Sequence, residues 1–163
     1  MKRPIRVPVR IGEVKVGRSG EVLCALGLGS CVAITLWDPE ARVGGMAHAM
    51  LPDPADGRRP TPLGRFAATA VQVLIDQMRM AGAAPVRLRA RLVGGASMFE
   101  SVAEEHRRNL GQRNVAAATR ALDAVRIPLV GKDVGGGHGR SVFLHTTDGR
   151  LLVSSMRAPD VEL

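Results

Sequence analysis

Short apolar runs, several of them with period-two alternation, dominate the first 50 residues of the chain. Glycine, aspartate and proline separate these runs, which is typical of β-strands joined by tight turns. The pattern predicts strands at 7–11, 14–16, 21–26, 32–37 and 43–50. A turn at Asp38-Pro39 predicts that the last two of these strands form a hairpin.

Helical periodicity replaces the alternation in the middle of the chain. Apolar residues recur at steps of three and four over 66–81, which predicts an amphipathic helix. The segment GGASMFESVAEE, residues 94–105, predicts a glycine turn followed by a short helical piece. A second amphipathic helix is predicted over 115–125, with its start near Asn109 or Asn114.

The segment VRLRARLV has the most regular period-two alternation in the chain and predicts a strand. Val86 and the alternate apolar residues after it are expected to face inward. Arg87, Arg89 and Arg91 are then expected to form an outward stripe. This stripe could bind an acidic partner, or it could be the solvated side of a sheet.

The tail of the chain returns to strands, predicted at 127–133, 140–146 and 151–156, with a hairpin at Asp148-Gly149. Strands at both ends and helices between them predict an α+β (mixed α/β) fold. We expect a strand-rich, layered sandwich, largely antiparallel, with two main helices packed on it. The length predicts a single domain over 1–163 with its core at about 10–156. The proline-rich stretch 52–62 predicts a mobile surface loop.

Composition and charge narrow the possible partners. Apolar residues make up 45% of the chain, enough for a packed core, and the net charge is +8. The basic residues are spread out and aromatic residues are only 2%, so we do not expect a nucleic-acid partner. The two cysteines do not suggest a disulfide framework, and we expect a cytoplasmic protein. No apolar run has the length of a membrane span or a signal peptide, so membrane insertion is not expected.

Cys31 stands between a glycine-rich turn and an apolar run, in the stretch GLGSCVAITLWDP. The small residues Gly29 and Ser30 permit a tight turn with unshielded backbone N–H groups, which could stabilise an oxyanion. The alternative is a buried, inert cysteine that begins a strand. A hairpin turning at Asp38-Pro39 would set Cys31 opposite about position 46, close to His48. The two could then act as nucleophile and base, unless His48 is simply a core histidine.

Two other patterns are only weak candidates for a site. A zinc site could draw on Cys24, Cys31, His48 and either His138 or His145, but the spacing does not match a zinc motif. The glycine cluster DVGGGHGR lacks the GK[ST] ending of a phosphate loop, so a turn between strands is the preferred interpretation. We therefore expect neither a metal site nor a phosphate site.

Five pieces of the sequence together resemble the CheD family of chemoreceptor glutamine deamidases. They occur in the family's order between Leu26 and Val142: LGLGSCVAITLWDP, VGGMAHAMLP, VGGASMFE, LGQRNV and DVGGGHGRSV. The resemblance implies a cysteine amidohydrolase that acts on protein glutamine side chains, with a fold similar to that of bacterial toxin deamidases. It implies Cys31 as nucleophile, His48 as general base and acid, and no metal or organic cofactor.

The resemblance also suggests further site residues and one departure from the family pattern. A cleft wall is expected from the GGASMF and GQRNV pieces, although turn and helix-start chemistry could explain them equally well. The candidate wall residues are Gly94, Gly95, Ser97, Phe99, Gln112 and Asn114. The family's third site residue is a threonine six positions before the cysteine, where this chain has Ala25. A backbone carbonyl or another hydroxyl, such as that of Ser30, would then have to hold His48.

The predicted function is conversion of specific glutamines to glutamate on the cytoplasmic helices of chemoreceptors, through a thioester, in chemotaxis adaptation. The expected partners are chemoreceptor cytoplasmic domains and, in some organisms, the phosphatase CheC. The alternative, motivated by Ala25, is a catalytically weakened adaptor or regulator that binds receptors or a CheC-type phosphatase. A third hypothesis, a nucleic-acid-binding protein, rests on net charge alone.

Overall fold

Ten β-strands and two α-helices form the regular structure in the computed structural model, which describes residues 2–54, 62–98 and 109–163. The helices are α1 (Ala67–Met80) and α2 (Leu110–Ala124). The strands are β1 (Arg6–Pro8), β2 (Val14–Arg18), β3 (Val22–Leu28), β4 (Val32–Asp38), β5 (Val43–Ala49), β6 (Arg89–Gly94), β7 (Leu129–Val134), β8 (Arg140–His145), β9 (Leu151–Ser154) and β10 (Val161–Glu162). Short 3₁₀ turns precede α1 and β6, at Leu63–Arg65 and Pro85–Arg87.

The strands form two five-stranded sheets. The first has the order β1-β3-β8-β9-β10, and the second has the order β2-β5-β4-β6-β7. Only β1 with β3 and β6 with β7 pair in parallel, and every other described pair is antiparallel. The predicted α+β, largely antiparallel sandwich is therefore confirmed.

Two apolar cores divide the molecule into three layers, because successive residues of a strand point to opposite faces of a sheet. On β4, Val32 and Ile34 belong to the core shared with α1 and α2. Ala33, between them, belongs to the core shared with the first sheet, together with Met46 of β5. The second sheet thus lies between the helices and the first sheet, and its near-continuous apolar strands follow from burial on both faces.

Both helices lie close to the predicted ranges. α1 buries the predicted apolar face, including Ala70, Leu74 and Met78, and Leu74 and Met78 lie so close to Gly45 of β5 that a side chain there would collide. Asn109 precedes the first residue of α2, which confirms the first of the two predicted starts.

The predicted arginine stripe is wrong. The strand begins only at Arg89, and Val86, expected to face inward, is 87% exposed. Arg87 lies in a 3₁₀ turn and binds the buried carboxylate of Asp38. Arg91 is buried and donates to the main-chain oxygens of Leu163 and Gly149. The alternation of apolar and arginine residues gave a wrong prediction for two reasons. Part of the segment is a 3₁₀ turn, and both faces of the strand that follows are covered by other parts of the protein.

The predicted hairpin of β4 and β5 exists, with a different register. Ala33 pairs with His48 and Val32 with Ala49, because the turn between the strands is longer than the predicted one at Asp38-Pro39. Continued by one residue, this register aligns Cys31 with Met50 rather than with position 46.

Two predicted features fall largely outside the described residues. They are the mobile loop at 52–62, of which 55–61 are not described, and the glycine turn and short helical piece predicted over 94–105, of which 99–105 are not described.

Candidate active site around Cys31 and His48

Cys31 lies in the turn between β3 and β4. Its side chain is half-buried and packs against the core between the two sheets. Burial raises the pKa of the Cys31 thiol, whereas the residue's own backbone N–H favours the thiolate. The resting group is therefore a thiol, and it needs a base to become nucleophilic.

His48 lies on β5 with its ring buried and its orientation fixed. Its Nδ1–H donates to the Val9 carbonyl oxygen at 2.9 Å, and because a carbonyl can only accept, this bond assigns the hydrogen to Nδ1. The lone pair is then on Nε2. Burial lowers the pKa of His48, although the bond to Val9 and the charge of Glu13 oppose the effect. The ring is a neutral base near pH 7.

The chain between β1 and β2 holds the strand segment that carries His48. The Gly12 N–H donates to the His48 carbonyl at 2.8 Å, and the His48 N–H donates to the Glu13 carbonyl at 3.0 Å. Val9 is itself anchored, since its N–H donates to the Cys24 carbonyl at 2.7 Å. The acceptor for Nδ1 is therefore part of the sheet framework.

Cys31 and His48 share the face of the second sheet that points to the first sheet. His48 is directly opposite Ala33, and Cys31 is two residues before Ala33 on the same face. Such diagonal neighbours are roughly 7 Å apart. Among the described residues, no hydrogen bond joins the thiol to the imidazole. That the two groups act as a pair stays a prediction, and the hairpin register from which it was inferred is wrong.

Three consecutive carbonyls of the turn before β4 are each held by a donor from outside it. The Gly29 carbonyl accepts from the Ala96 N–H at 2.8 Å, and the Cys31 carbonyl accepts from the Gly95 N–H at 2.8 Å. The Ser30 carbonyl accepts from Asn114 Nδ2 at 2.8 Å. In the described part of the chain, the N–H groups of these three turn residues donate to no carbonyl, and that of Cys31 contacts only the residue's own sulfur. The turn is thus fixed by its carbonyls, and its N–H groups are not used to hold it.

Glycines make this support possible. A Cβ on Gly94 would collide with the Cys31 carbonyl oxygen, and Gly94 also has φ +112°. Gly111, at the start of α2, packs directly on the Gly95 and Ala96 carbonyls, where a side chain would not fit. The GGAS and GQRN pieces of the sequence therefore meet behind the Cys31 turn because both lack side chains at the contact.

Known proteins that are similar in sequence to this chain belong to the family that the five sequence pieces resemble. The family model described as CheD chemotactic sensory transduction matches residues 50–155. A protein named probable chemoreceptor glutamine deamidase from Geobacter metallireducens is 42% identical, over 96% of this chain and 98% of its own length. The chemoreceptor glutamine deamidase of Thermotoga maritima is 45% identical, over 89% of this chain and 88% of its own. The chain belongs to the CheD family.

Two solved structures are similar to part of this chain. They are Bacillus licheniformis hypothetical protein YfiH, with a TM-score of 0.44 and 14% identity, and Neisseria meningitidis protein NMB0706, with a TM-score of 0.43 and 15% identity. The alignments cover 74% and 76% of this chain, and 49% and 52% of the other two. This chain spans about half the length of each.

Ala25, which stands where the CheD family pattern has a threonine, is 1% exposed and lies in the same inter-sheet core as Ala33 and Val9. It offers no polar atom to His48. The carbonyl of Val9 is the acceptor for the ring instead, which is one of the substitutes expected from the sequence. Nothing in the sequence singles out Val9, because every residue has a carbonyl.

The remaining wall candidates have different positions. Ser97 is half-buried, and its N–H donates to the Gly136 carbonyl at 2.9 Å. Gln112 is exposed on α2. Phe99 lies outside the described residues. Of the wall candidates, Gly94, Gly95 and Asn114 contact the Cys31 turn.

A cavity of about 530 Å³ opens beside this turn. Its lining includes Gly27, Met98, His138, Met156 and Arg157. Met98 also approaches the turn itself, with its sulfur 3.2 Å from where a Cβ on Gly29 would be. Among the described residues, the lining of this cavity has two methionines and no acidic residue, and neither Cys31 nor His48 is part of it.

No three His, Cys, Asp or Glu side chains in the described ranges group as metal ligands. Cys24 of the zinc alternative is buried on β3, where its thiol approaches the Val7 carbonyl at 3.8 Å. Neither described helix has the length and apolar character that crossing a bilayer requires.

Proposed function

We propose that this chain is a cysteine-dependent protein-glutamine deamidase that converts specific glutamines on chemoreceptor cytoplasmic helices to glutamate. The observation that carries the proposal is that a half-buried Cys31 and a buried His48 lie on the same face of one sheet, with Nδ1–H of His48 bound to Val9 and its Nε2 left to accept a proton. Membership of the CheD family, and relatives whose names state chemoreceptor glutamine deamidase, support the substrate class.

The first half of the reaction forms a thioester. His48 Nε2 takes the proton from the Cys31 thiol, and the sulfur attacks the carboxamide carbon of the glutamine side chain. The negative charge that develops on the carboxamide oxygen is stabilised by N–H groups of the Cys31 turn. The protonated His48 then gives its proton to the leaving nitrogen, and ammonia departs.

The second half consumes water and restores the enzyme. His48, again neutral, takes a proton from a water molecule that attacks the thioester carbonyl. The carbon–sulfur bond breaks, the sulfur is protonated, and the product side chain is glutamate. The lowered pKa of His48 suits both halves, because the ring must be neutral before each attack.

The same proposal includes where the enzyme acts and which protein regulates it. The enzyme works in the cytoplasm, where the helical signalling regions of chemoreceptors are found. A CheC-type phosphatase is the proposed regulator, on the strength of the sequence resemblance alone.

Deamidation of a purified receptor cytoplasmic fragment tests the proposal. Mass spectrometry of receptor peptides should find glutamine converted to glutamate by the wild-type chain and no conversion by Cys31→Ala. Cys24→Ala is the matched control, since it removes the buried cysteine of the other sheet and should keep the activity. Equal conversion by the wild type and Cys31→Ala would contradict the mechanism.

The competing hypothesis is a binding adaptor with decayed catalysis, which Ala25 motivates. It predicts receptor binding without conversion, together with a Cys31 thiol that alkylates as slowly as a model thiol and independently of His48. The deamidase proposal predicts that His48→Ala slows alkylation of the Cys31 peptide near neutral pH.

A further inference from the structure

Asn114 of α2 reaches from the helix layer to the turn that carries Cys31. Its side chain is completely buried, and Nδ2 donates to two main-chain carbonyls, those of Ser30 at 2.8 Å and Met50 at 3.1 Å. Ser30 immediately precedes the proposed nucleophile, and Met50 directly follows the strand that carries His48. One amide group therefore joins the ends of two strands at the site.

The orientation of this amide is the only one that fits its surroundings. Turned over, Asn114 would set its oxygen against the two carbonyl oxygens, which repel it. In the observed orientation Oδ1 has no hydrogen-bond partner within the described residues, although it is buried. A buried oxygen without a partner is costly. The structure thus has both hydrogen bonds from Nδ2 to the carbonyls and leaves the buried Oδ1 without one.

The carbonyl held by Asn114 belongs to the same peptide unit as the Cys31 N–H. A trans peptide is planar and directs its C=O and N–H to opposite sides, and no described peptide bond is cis. Fixing the Ser30 carbonyl toward α2 therefore turns the Cys31 N–H away from the helix, toward the face on which the thiol lies. Among the described residues this N–H contacts only the residue's own sulfur, so it is still available to an oxyanion that forms beside that sulfur.

We propose that Asn114 is a positioning residue that aims the Cys31 N–H at the oxyanion of the deamidation reaction. The inference rests on the proposed function and adds to it the origin of the oxyanion donor. Asn114 does not contact the substrate. It acts through the plane of the Ser30–Cys31 peptide, and its bond to Met50 keeps the amide from rotating.

Asn114→Leu tests this role, because leucine keeps the shape of asparagine and removes both donors. We expect kcat for deamidation of the receptor fragment to fall roughly 100-fold, with KM unchanged. Iodoacetamide alkylation of Cys31, which forms no oxyanion, should keep the wild-type rate. A merely structural role for Asn114 would instead change alkylation and deamidation together.

Thr119→Val is the matched control, a shape-preserving loss of a hydroxyl on the same helix. That hydroxyl donates only to the Val115 carbonyl within α2, so kcat should not change. If Asn114→Leu does not fold, Asn114→Ala provides the same measurements. If neither variant folds, the proposal is overturned, because the amide is then required for folding. An active wild type with an equally active Asn114→Leu would overturn this inference alone. An inactive wild type would overturn the proposed function and the inference with it.

Discussion

The His48 ring is oriented by the main chain of Val9, whose carbonyl oxygen lies 2.9 Å from Nδ1. The donor geometry fixes the tautomer, and the anchoring of Val9 to β3 fixes the position of the acceptor. A buried side-chain hydroxyl is therefore not required to orient the base. With this arrangement, Ala25 does not leave Nδ1 of the His48 ring without a hydrogen-bond acceptor.

The buried environment of His48 predicts the pH dependence of the reaction. Burial lowers its pKa, so the acid limb of kcat/KM should fall below pH 6.5, where an ordinary histidine titrates. Below that limb the ring is protonated and cannot take the thiol proton, and the rate decreases. Deamidation of the receptor fragment across pH 4–9 measures the limb. A midpoint above 6.5 would contradict this account of the base.

Ala25→Thr tests whether the proposed site lacks a side-chain hydroxyl that would orient His48. Because Val9 already accepts the Nδ1–H, we expect no increase in kcat. The buried position is apolar, so the added hydroxyl should lower the free energy of unfolding by about 1–3 kcal/mol. Kinetics and urea denaturation provide the two measurements. A rise in kcat of about tenfold, comparable to a gain of 1.4 kcal/mol in transition-state binding, would mean that the carbonyl is an incomplete substitute.

Gly94→Ala and Gly82→Ala separate backbone strain from contact with the site. Both glycines have positive φ, +112° and +100°, so either change should cost about 1–2 kcal/mol of stability. Only at Gly94 would the new Cβ meet the Cys31 carbonyl oxygen, whereas nothing lies within 4 Å of the position at Gly82. We expect deamidation to fall sharply in Gly94→Ala alone, measured at a temperature where both variants are folded. Equal activities would show that the contact with Cys31 does not matter.

Asp38 should support stability without affecting catalysis. Burial alone would raise its pKa, but hydrogen bonds from Arg87 and from the Ala84, Ala41 and Glu40 N–H groups outweigh this and lower it to about 2. Asp38→Asn should therefore reduce the free energy of unfolding at pH 7 by about 2–3 kcal/mol, measured by urea denaturation.

The stability difference between wild type and Asp38→Asn should depend on pH, because the pKa of Asp38 is lowered in the folded protein. A carboxyl whose folded pKa is lowered contributes stability above its unfolded pKa of 3.8 and loses it as the pH falls toward 2. The difference between wild type and Asp38→Asn should shrink over that range. Asp148→Asn, at an exposed ion pair with Arg150, is the control and should have little effect. A difference that persists at pH 2 would assign the loss to packing instead of charge.

Periodicity alone predicted most of the elements, because local alternation and helical steps report which side chains are buried. The two helices, the β4–β5 hairpin and the layered α+β architecture were all predicted from the sequence. Periodicity gave wrong predictions where a side chain is buried by residues that are distant in the sequence. Arg91 alternates like a solvated residue, but it is buried, and two of its guanidinium nitrogens donate to the distant main-chain oxygens of Gly149 and Leu163.

The sequence by itself determined the reactive groups and the family pattern: the thiol of Cys31, the imidazole of His48 and the glycine-rich pieces around them. Only the tertiary structure decided how these groups are held. The Val9 carbonyl fixes the imidazole, and the Asn114 amide holds the turn before Cys31. Each of these contacts joins segments far apart along the chain. A main-chain carbonyl has the same chemistry at every position, so only its location in the folded molecule gives it a role.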